Sequence, residues 1–266
     1  TEEVEAVAAV MADAFTVSIS DTGYLTVTQF VALDHPEQAT LVAGDVNSYD
    51  EAIDLEGYLN AVVTVTDGDG DKVLQSIAIG DQISFKDDGP VFTTDLSVVV
   101  DGAVQVDETN LVPVTGVSAT GTDSVLDYVL AVGQDGGTPD IALRIEGTGL
   151  LDFTTTSGKA ITLVVDPLDN NLVHGQYVLT AAVEATEEVE ATPAVMADAF
   201  TVSISDAGYL TVTQFVALDH PEEATLEAGD VVSYDEAINL DGYLNAVVTV
   251  TDGDGDKVLQ SIAIGD

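Results

Sequence analysis

Leu59-Asn60-Ala61-Val62-Val63-Thr64-Val65-Thr66-Asp67-Gly68-Asp69-Gly70-Asp71-Lys72-Val73 runs a strand-forming segment straight into three aspartates. Leu59, Ala61, Val63 and Val65 alternate with Asn60, Thr64 and Thr66, the period-two mark of a half-buried strand. Val73, Ile77 and Ile79 resume the pattern beyond the loop, with Gln75 as the one polar break. The loop 67–71 is therefore expected to join an antiparallel hairpin. Gly68 and Gly70 separate Asp67, Asp69 and Asp71, and glycine can turn the backbone through positive φ, so the three side chains can converge. Converged carboxylates repel, and Lys72 is the only base nearby. A hard cation removes the repulsion, and calcium takes about six to eight carboxylate and carbonyl oxygens in a flexible shell. The competing reading is a polar β-turn; three aspartates in five residues weigh against it. An EF-hand is excluded, because Lys72 stands where its loop needs glycine and Ala78 where it needs glutamate.

The same loop returns as Asp252, Asp254 and Asp256. Residues 1–81 align without gaps to 186–266, and eight positions differ: 7/192, 8/193, 22/207, 38/223, 42/227, 47/232, 54/239 and 56/241. A repeat of 185 residues is far longer than a solenoid unit, so each repeat is a domain or a pair of them. Residues 1–90 read as the C-terminal part of one repeat and 91–266 as the next, nearly complete. Two breaks suggest themselves: Lys86-Asp87-Asp88-Gly89-Pro90, and Ala182–Asp198 with its four glutamates, a charge run that reads as a solvated linker. If the second is real, 91–266 divides near 185 into 91–185 and 186–266. Thr1 and Asp266 both fall mid-pattern, as expected of a piece of something longer.

Phe15, Val17 and Ile19 form another alternating run, a turn follows at Asp21–Gly23, and Tyr24–Leu33 is expected to run back as its partner. Further strands are expected at 96–100, 126–132, 141–146, 161–165 and 172–181, and no run of ten or more residues reads as a helix. Many short strands at this spacing give an all-β fold of tandem immunoglobulin-like β-sandwich domains in an elongated array.

The 266 residues carry 48 acidic and 5 basic side chains, for a formal charge of −43. That balance excludes nucleic acid as a partner and opposes an anionic membrane surface. It also disfavours compaction unless cations neutralise it. Disorder is excluded by a 46% apolar content. There is no cysteine, so no disulfide or thiolate site can staple the chain, and metal ions are the alternative. No apolar run approaches the ~20 residues of a membrane span, and no signal peptide opens the chain.

Asp87 and Asp88 sit at the first break. They read equally as a solvated linker or as ligands of a junctional calcium completed by Asp107 and Glu108. His35 and its equivalent His220 lie beside carboxylates in Leu-Asp-His-Pro-Glu. No serine or cysteine nucleophile signature accompanies them, so a structural turn is expected. His174 is expected to be structural too. No hydrolase, zinc-protease, P-loop or dinucleotide motif is present, and no catalytic centre is expected.

Several segments together resemble the long tandem repeats of giant RTX adhesins, the biofilm and surface-attachment proteins that Gram-negative bacteria export by type I secretion. They are Val106-Asp107-Glu108, Ala199–Ser203, Leu210–Gln214, Ala217–His220, Val248–Asp256 and Ile83–Pro90. The resemblance implies extender modules of β-sandwich type with calcium in loops and domain junctions. It implies a monomeric elongated chain whose partners are neighbouring repeats, secreted unfolded to the cell surface and folding on extracellular calcium. The glycine-rich nonapeptide that gives the family its name is absent here. The alternative function is a calcium-dependent glycan- or surface-binding module.

Overall fold

The computed structural model describes residues 12–35, 52–86, 89–99, 104–112, 114–134, 136–181, 193–220 and 237–265. Among them the regular structure is β, with short 3₁₀ turns and no α-helix. Among the described residues no helix is long and apolar enough to cross a membrane, which says nothing of β-barrels.

Among the described residues the first 90 positions contribute six strands: β1 (Phe15–Ile19), β2 (Leu25–Gln29), β3 (Ala52–Asp54), β4 (Asn60–Thr66), β5 (Lys72–Ala78) and β6 (Ser84–Lys86). They pair only as two-stranded units, β1 with β2, β3 with β6 and β4 with β5. The β4–β5 hairpin has the expected register, Thr66 opposite Lys72. The return strand after β1 is shorter than expected, five residues in place of Tyr24–Leu33.

The remaining strands are β7 (Val91–Phe92), β8 (Ser97–Val98), β9 (Val117–Thr120), β10 (Leu126–Asp127), β11 (Leu130–Ala131), β12 (Gly137–Ile145), β13 (Leu150–Thr154), β14 (Ala160–Val165), β15 (Leu172–Thr180), β16 (Val195–Ile204), β17 (Leu210–Gln214), β18 (Leu244–Asp252) and β19 (Lys257–Ile264). One sheet has three strands in the order β12-β18-β19, and the other has six, β13-β14-β15-β16-β17-β9. Inward residues of both sheets make one buried cluster: Ile141 and Leu143, Ile161 and Leu163, Val173, Phe200, Val202 and Ile204, Leu244, Ala246 and Val248. The alternation of β18 is complete, with Leu244, Ala246, Val248, Val250 and Asp252 all buried and the residues between them half-buried. Gly175 admits the Phe200 ring, since a Cβ there would lie 2.6 Å from it.

Three strand pairings cross position 185: β15 with β16, β12 with β18 and β9 with β17. A division at 185 would cut both sheets. The expected linker Ala182–Asp198 is corrected over its last four residues, which belong to β16. Val195, Met196, Ala197 and Asp198 stand opposite Thr180, Val178, Tyr177 and Gln176, so cross-strand pairing overrides the acidic local composition. The span 126–132 splits into two short strands that pair with different partners, β10 with β8 and β11 with β7.

Identical sequence therefore meets two environments. Val63 is 61% exposed, whereas its equivalent Val248 is fully buried. Val65, Val73 and Ile77 are likewise exposed, while Val250 and Val258 are buried and Ile262 is partly so.

Candidate metal centre

Each acidic loop closes a hairpin, and its first aspartate organises it. In the second copy the Asp252 N–H donates to the Asp256 carbonyl at 3.1 Å. Asp252 Oδ1 accepts the Gly255 N–H at 3.1 Å and the Asp256 N–H at 2.7 Å. In the first copy Asp67 Oδ1 accepts the N–H groups of Asp69, Gly70 and Asp71 at 3.3, 3.1 and 2.9 Å. Only the second glycine of each loop uses positive φ, +100° at Gly70 and +111° at Gly255. In both loops one carboxylate oxygen from each of the three aspartates lies within 4.8 Å of the others. The expected convergence is present twice.

Burial separates the two clusters. Asp67, Asp69 and Asp71 are exposed, while Asp252 is 7% and Asp256 1% exposed. What closes over the second loop is His35 of the first copy, itself 4% exposed. Its N–H donates to Asp254 Oδ2 at 3.1 Å, its Nδ1 lies 3.6 Å from the same oxygen, and its Nε2 is 3.4 Å from the Phe85 carbonyl. The Phe85 ring meets Phe15 at 4.7 Å between centroids. The expectation of a local structural turn at His35 is thus incomplete. The residue bridges to a loop 219 positions away, and no feature of its own segment announces that contact.

The electrostatics follow the burial. Desolvation first, then a hydrogen bond and repulsion from Asp254, push Asp252 up to about 7. Burial opposes ionisation of Asp254 as well, but the His35 N–H and the Asp252 hydrogen bond outweigh it and hold Asp254 below the ordinary carboxylate value. Asp67, fully exposed in the first loop, is held low by its hydrogen bonds from Asp69 and the Asp71 N–H. The first aspartate of the loop is thus held ionised in water and pushed toward its neutral form when buried. Asp252 Oδ2 is buried and accepts no hydrogen bond. A set of carboxylate oxygens with one buried lone-pair site unsatisfied fits a hard divalent cation, and the absence of nitrogen or sulfur ligands among the three suits calcium or magnesium over zinc.

The other expected ligands fall elsewhere. Asp87 and Asp88 lie outside the described residues. Asp107 Oδ1 accepts the Thr109 N–H at 2.8 Å and caps the 3₁₀ turn Glu108–Asn110; its hydrogen bonds from Thr109 lower its pKa. Glu108 Oε1 accepts the side-chain amide of Gln214 and the Leu218 N–H at 2.8 Å, with His220 Nε2 at 3.6 Å. That oxygen serves to tie the 104–110 segment to β17 and the turn after it.

His174, expected to be structural, sits between two carboxylates. Its Nδ1 is 2.9 Å from Asp198 Oδ2 and its Nε2 3.2 Å from Asp166 Oδ2. Both nitrogens face acceptors, which only the imidazolium can satisfy. Burial works against that charge, but the two carboxylates prevail and raise the pKa of His174. A group whose pKa is raised on folding stabilises below its unfolded value, 6.5 here, and the gain fades as pH rises through the folded value. His174→Gln should therefore cost about 1 kcal/mol at pH 5.5, with the difference from the parent narrowing toward pH 8. Paired urea titrations at the two pH values check this.

No curated protein and no solved structure matches the chain. The profile of one family does match, over residues 2–80 and again over 103–265, so that the second match takes in strands from both sides of position 185. By that coverage the chain belongs to the family described as a domain of unknown function, DUF5801.

Proposed function

We propose that this chain is an extender segment of a large secreted adhesin, in which calcium at the acidic hairpin loops stiffens the joint between successive repeats. The observation that carries the reading is the buried loop 252–256. Three aspartates converge there, one of them with a buried oxygen that accepts no hydrogen bond, at the point where His35 of the first copy meets the second. A cation at this place would be bound by the docked arrangement and weakened by its opening, so calcium would favour the docked form by RT ln(1 + [Ca]/Kd). The two-sheet body serves as the spacer unit. It is a β-sandwich in its layering, although β13 to β17 follow one another as a meander where an immunoglobulin domain would switch sheets. Catalysis is no part of this reading, in which His35, His174 and His220 serve as partners of the carboxylates they lie beside.

Extracellular calcium modules have Kd values of about 10⁻⁴–10⁻³ M, so 10 mM calcium is about 10- to 100-fold above Kd. At 100-fold the gain is about 2.7 kcal/mol. Thermal melting and small-angle scattering with calcium, and again after chelation, test the reading. A higher melting temperature and a larger, sharper maximum dimension with calcium are expected. Curves that superimpose before and after chelation would remove calcium from the account.

A further inference from the structure

Among the described residues, two hairpins of the first copy stand without the neighbouring strands that their equivalents have in the second copy. In the second copy, β18 has β19 on one edge and β12 on the other, and β16 and β17 lie between β15 and β9. The strands β9, β12 and β15 all come from residues 91–181. In the first copy, β4 pairs with β5 alone and β1 with β2 alone. Among the described residues no strand pairs with the outer edge of β4 or with either outer edge of the β1–β2 pair. Unpaired edges beside exposed apolar side chains are templates for strand addition.

The two surfaces are the same letter for letter. The segments 10–19, 25–29, 59–67 and 72–79 are identical to 195–204, 210–214, 244–252 and 257–264, and all eight differences between the copies fall outside them. The strand that docks on Asn245–Thr251, with Ala142 opposite Val247 and Arg144 opposite Asn245, would meet the same residues at Asn60–Thr66. Gln29 shows the vacancy at side-chain level. Its Nε2 donates to the Val31 carbonyl, as Gln214 does to Val216, but Gln214 has Glu108 as a second acceptor.

We infer that residues 12–86 are an acceptor for a further segment with the sequence of residues 91–185, which completes them by strand addition as 91–181 completes 195–265. The chain holds one such donor and two acceptors, so one acceptor stays open whichever of the two the donor fills. This inference does not depend on any ion.

The experiment lengthens the chain by a second copy of 91–185 placed directly ahead of Thr1, which reproduces the Ala185–Thr186 junction. Because the chain has no cysteine, Val63→Cys gives a single thiol at a position that is exposed now and whose equivalent is buried. Thiol labelling at that site should slow on the order of a hundredfold in the lengthened chain. Amide exchange over residues 60–66 needs no substitution and should slow to match 245–251. Unchanged labelling and exchange, with 245–251 still protected, would overturn the inference. Protection that instead grows with concentration in the chain of original length would also overturn it, by making a second open acceptor the occupant. Calcium is held at one level throughout, so a failure here leaves the calcium reading standing.

Discussion

Val248→Asp should lower the thermal midpoint of the two-sheet body by on the order of 10 °C, while Val63→Asp should shift it by no more than ~2 °C. The two valines sit in identical sequence, at the same place in equivalent strands, and differ only in what covers them. Val248 has no exposed surface and lies in the cluster with Ile141, Phe200 and Ala246. A carboxylate there has neither water nor a cation, and an uncompensated buried charge costs about 3–5 kcal/mol. In a domain of 150–250 residues each kcal/mol moves the midpoint by about 2–4 °C. Val63 is 61% exposed, so the new carboxylate stays hydrated and the effect of a surface change is within about 0.5 kcal/mol. Melting curves of the two variants beside the parent decide the matter. Equal losses would mean that the first copy is covered after all.

The contrast also shows what a local reading of the chain can reach. The hairpin, its register and the convergence of Asp67, Asp69 and Asp71 are encoded within fifteen residues, and they are found as expected. The strand β9, Val117-Ser118-Ala119-Thr120, is not legible because four short side chains before a Gly-Thr-Asp stretch look like loop. It is a strand because Ala119 and Ser118 can pair with Val212 and Thr213 across 94 residues or so of chain. In β13 the doublet Leu150-Leu151 hid the alternation of Leu151 and Phe153 about Asp152. Burial is harder still. Identical segments yield identical expectations, yet one loop is exposed and the other enclosed, because the enclosing residue, His35, belongs to a different copy. The carboxylates around His174 are hidden for the related reason that Asp198 lies in a stretch whose composition reads as a linker.

That enclosure makes a single amide substitution at Asp252 change sign with calcium. Asp252→Asn keeps the shape, and its side-chain oxygen can still accept the Gly255 and Asp256 N–H groups. Its amide can donate to Asp254, in place of the proton that Asp252 retains when its pKa is pushed to about 7. Without metal at pH 8 the parent buries two like charges, so the variant should be the more stable, by about 1–2 kcal/mol. The parent's own pH dependence runs the same way. Its folded pKa lies above the ordinary aspartate value of 3.8, so the folded state holds the extra proton and metal-free stability falls as pH rises from about 4 through about 7. With 10 mM calcium the order should reverse, because an amide oxygen binds a hard cation less strongly than a carboxylate and the calcium gain shrinks. Melting the two proteins at pH 8 with chelator and with calcium gives four midpoints, and the prediction is that the two lines cross. Parallel lines would mean that Asp252 does not meet the ion. Asp67→Asn, at the exposed loop, should show no gain in chelator, since hydrogen bonds and water already satisfy the Asp67 carboxylate.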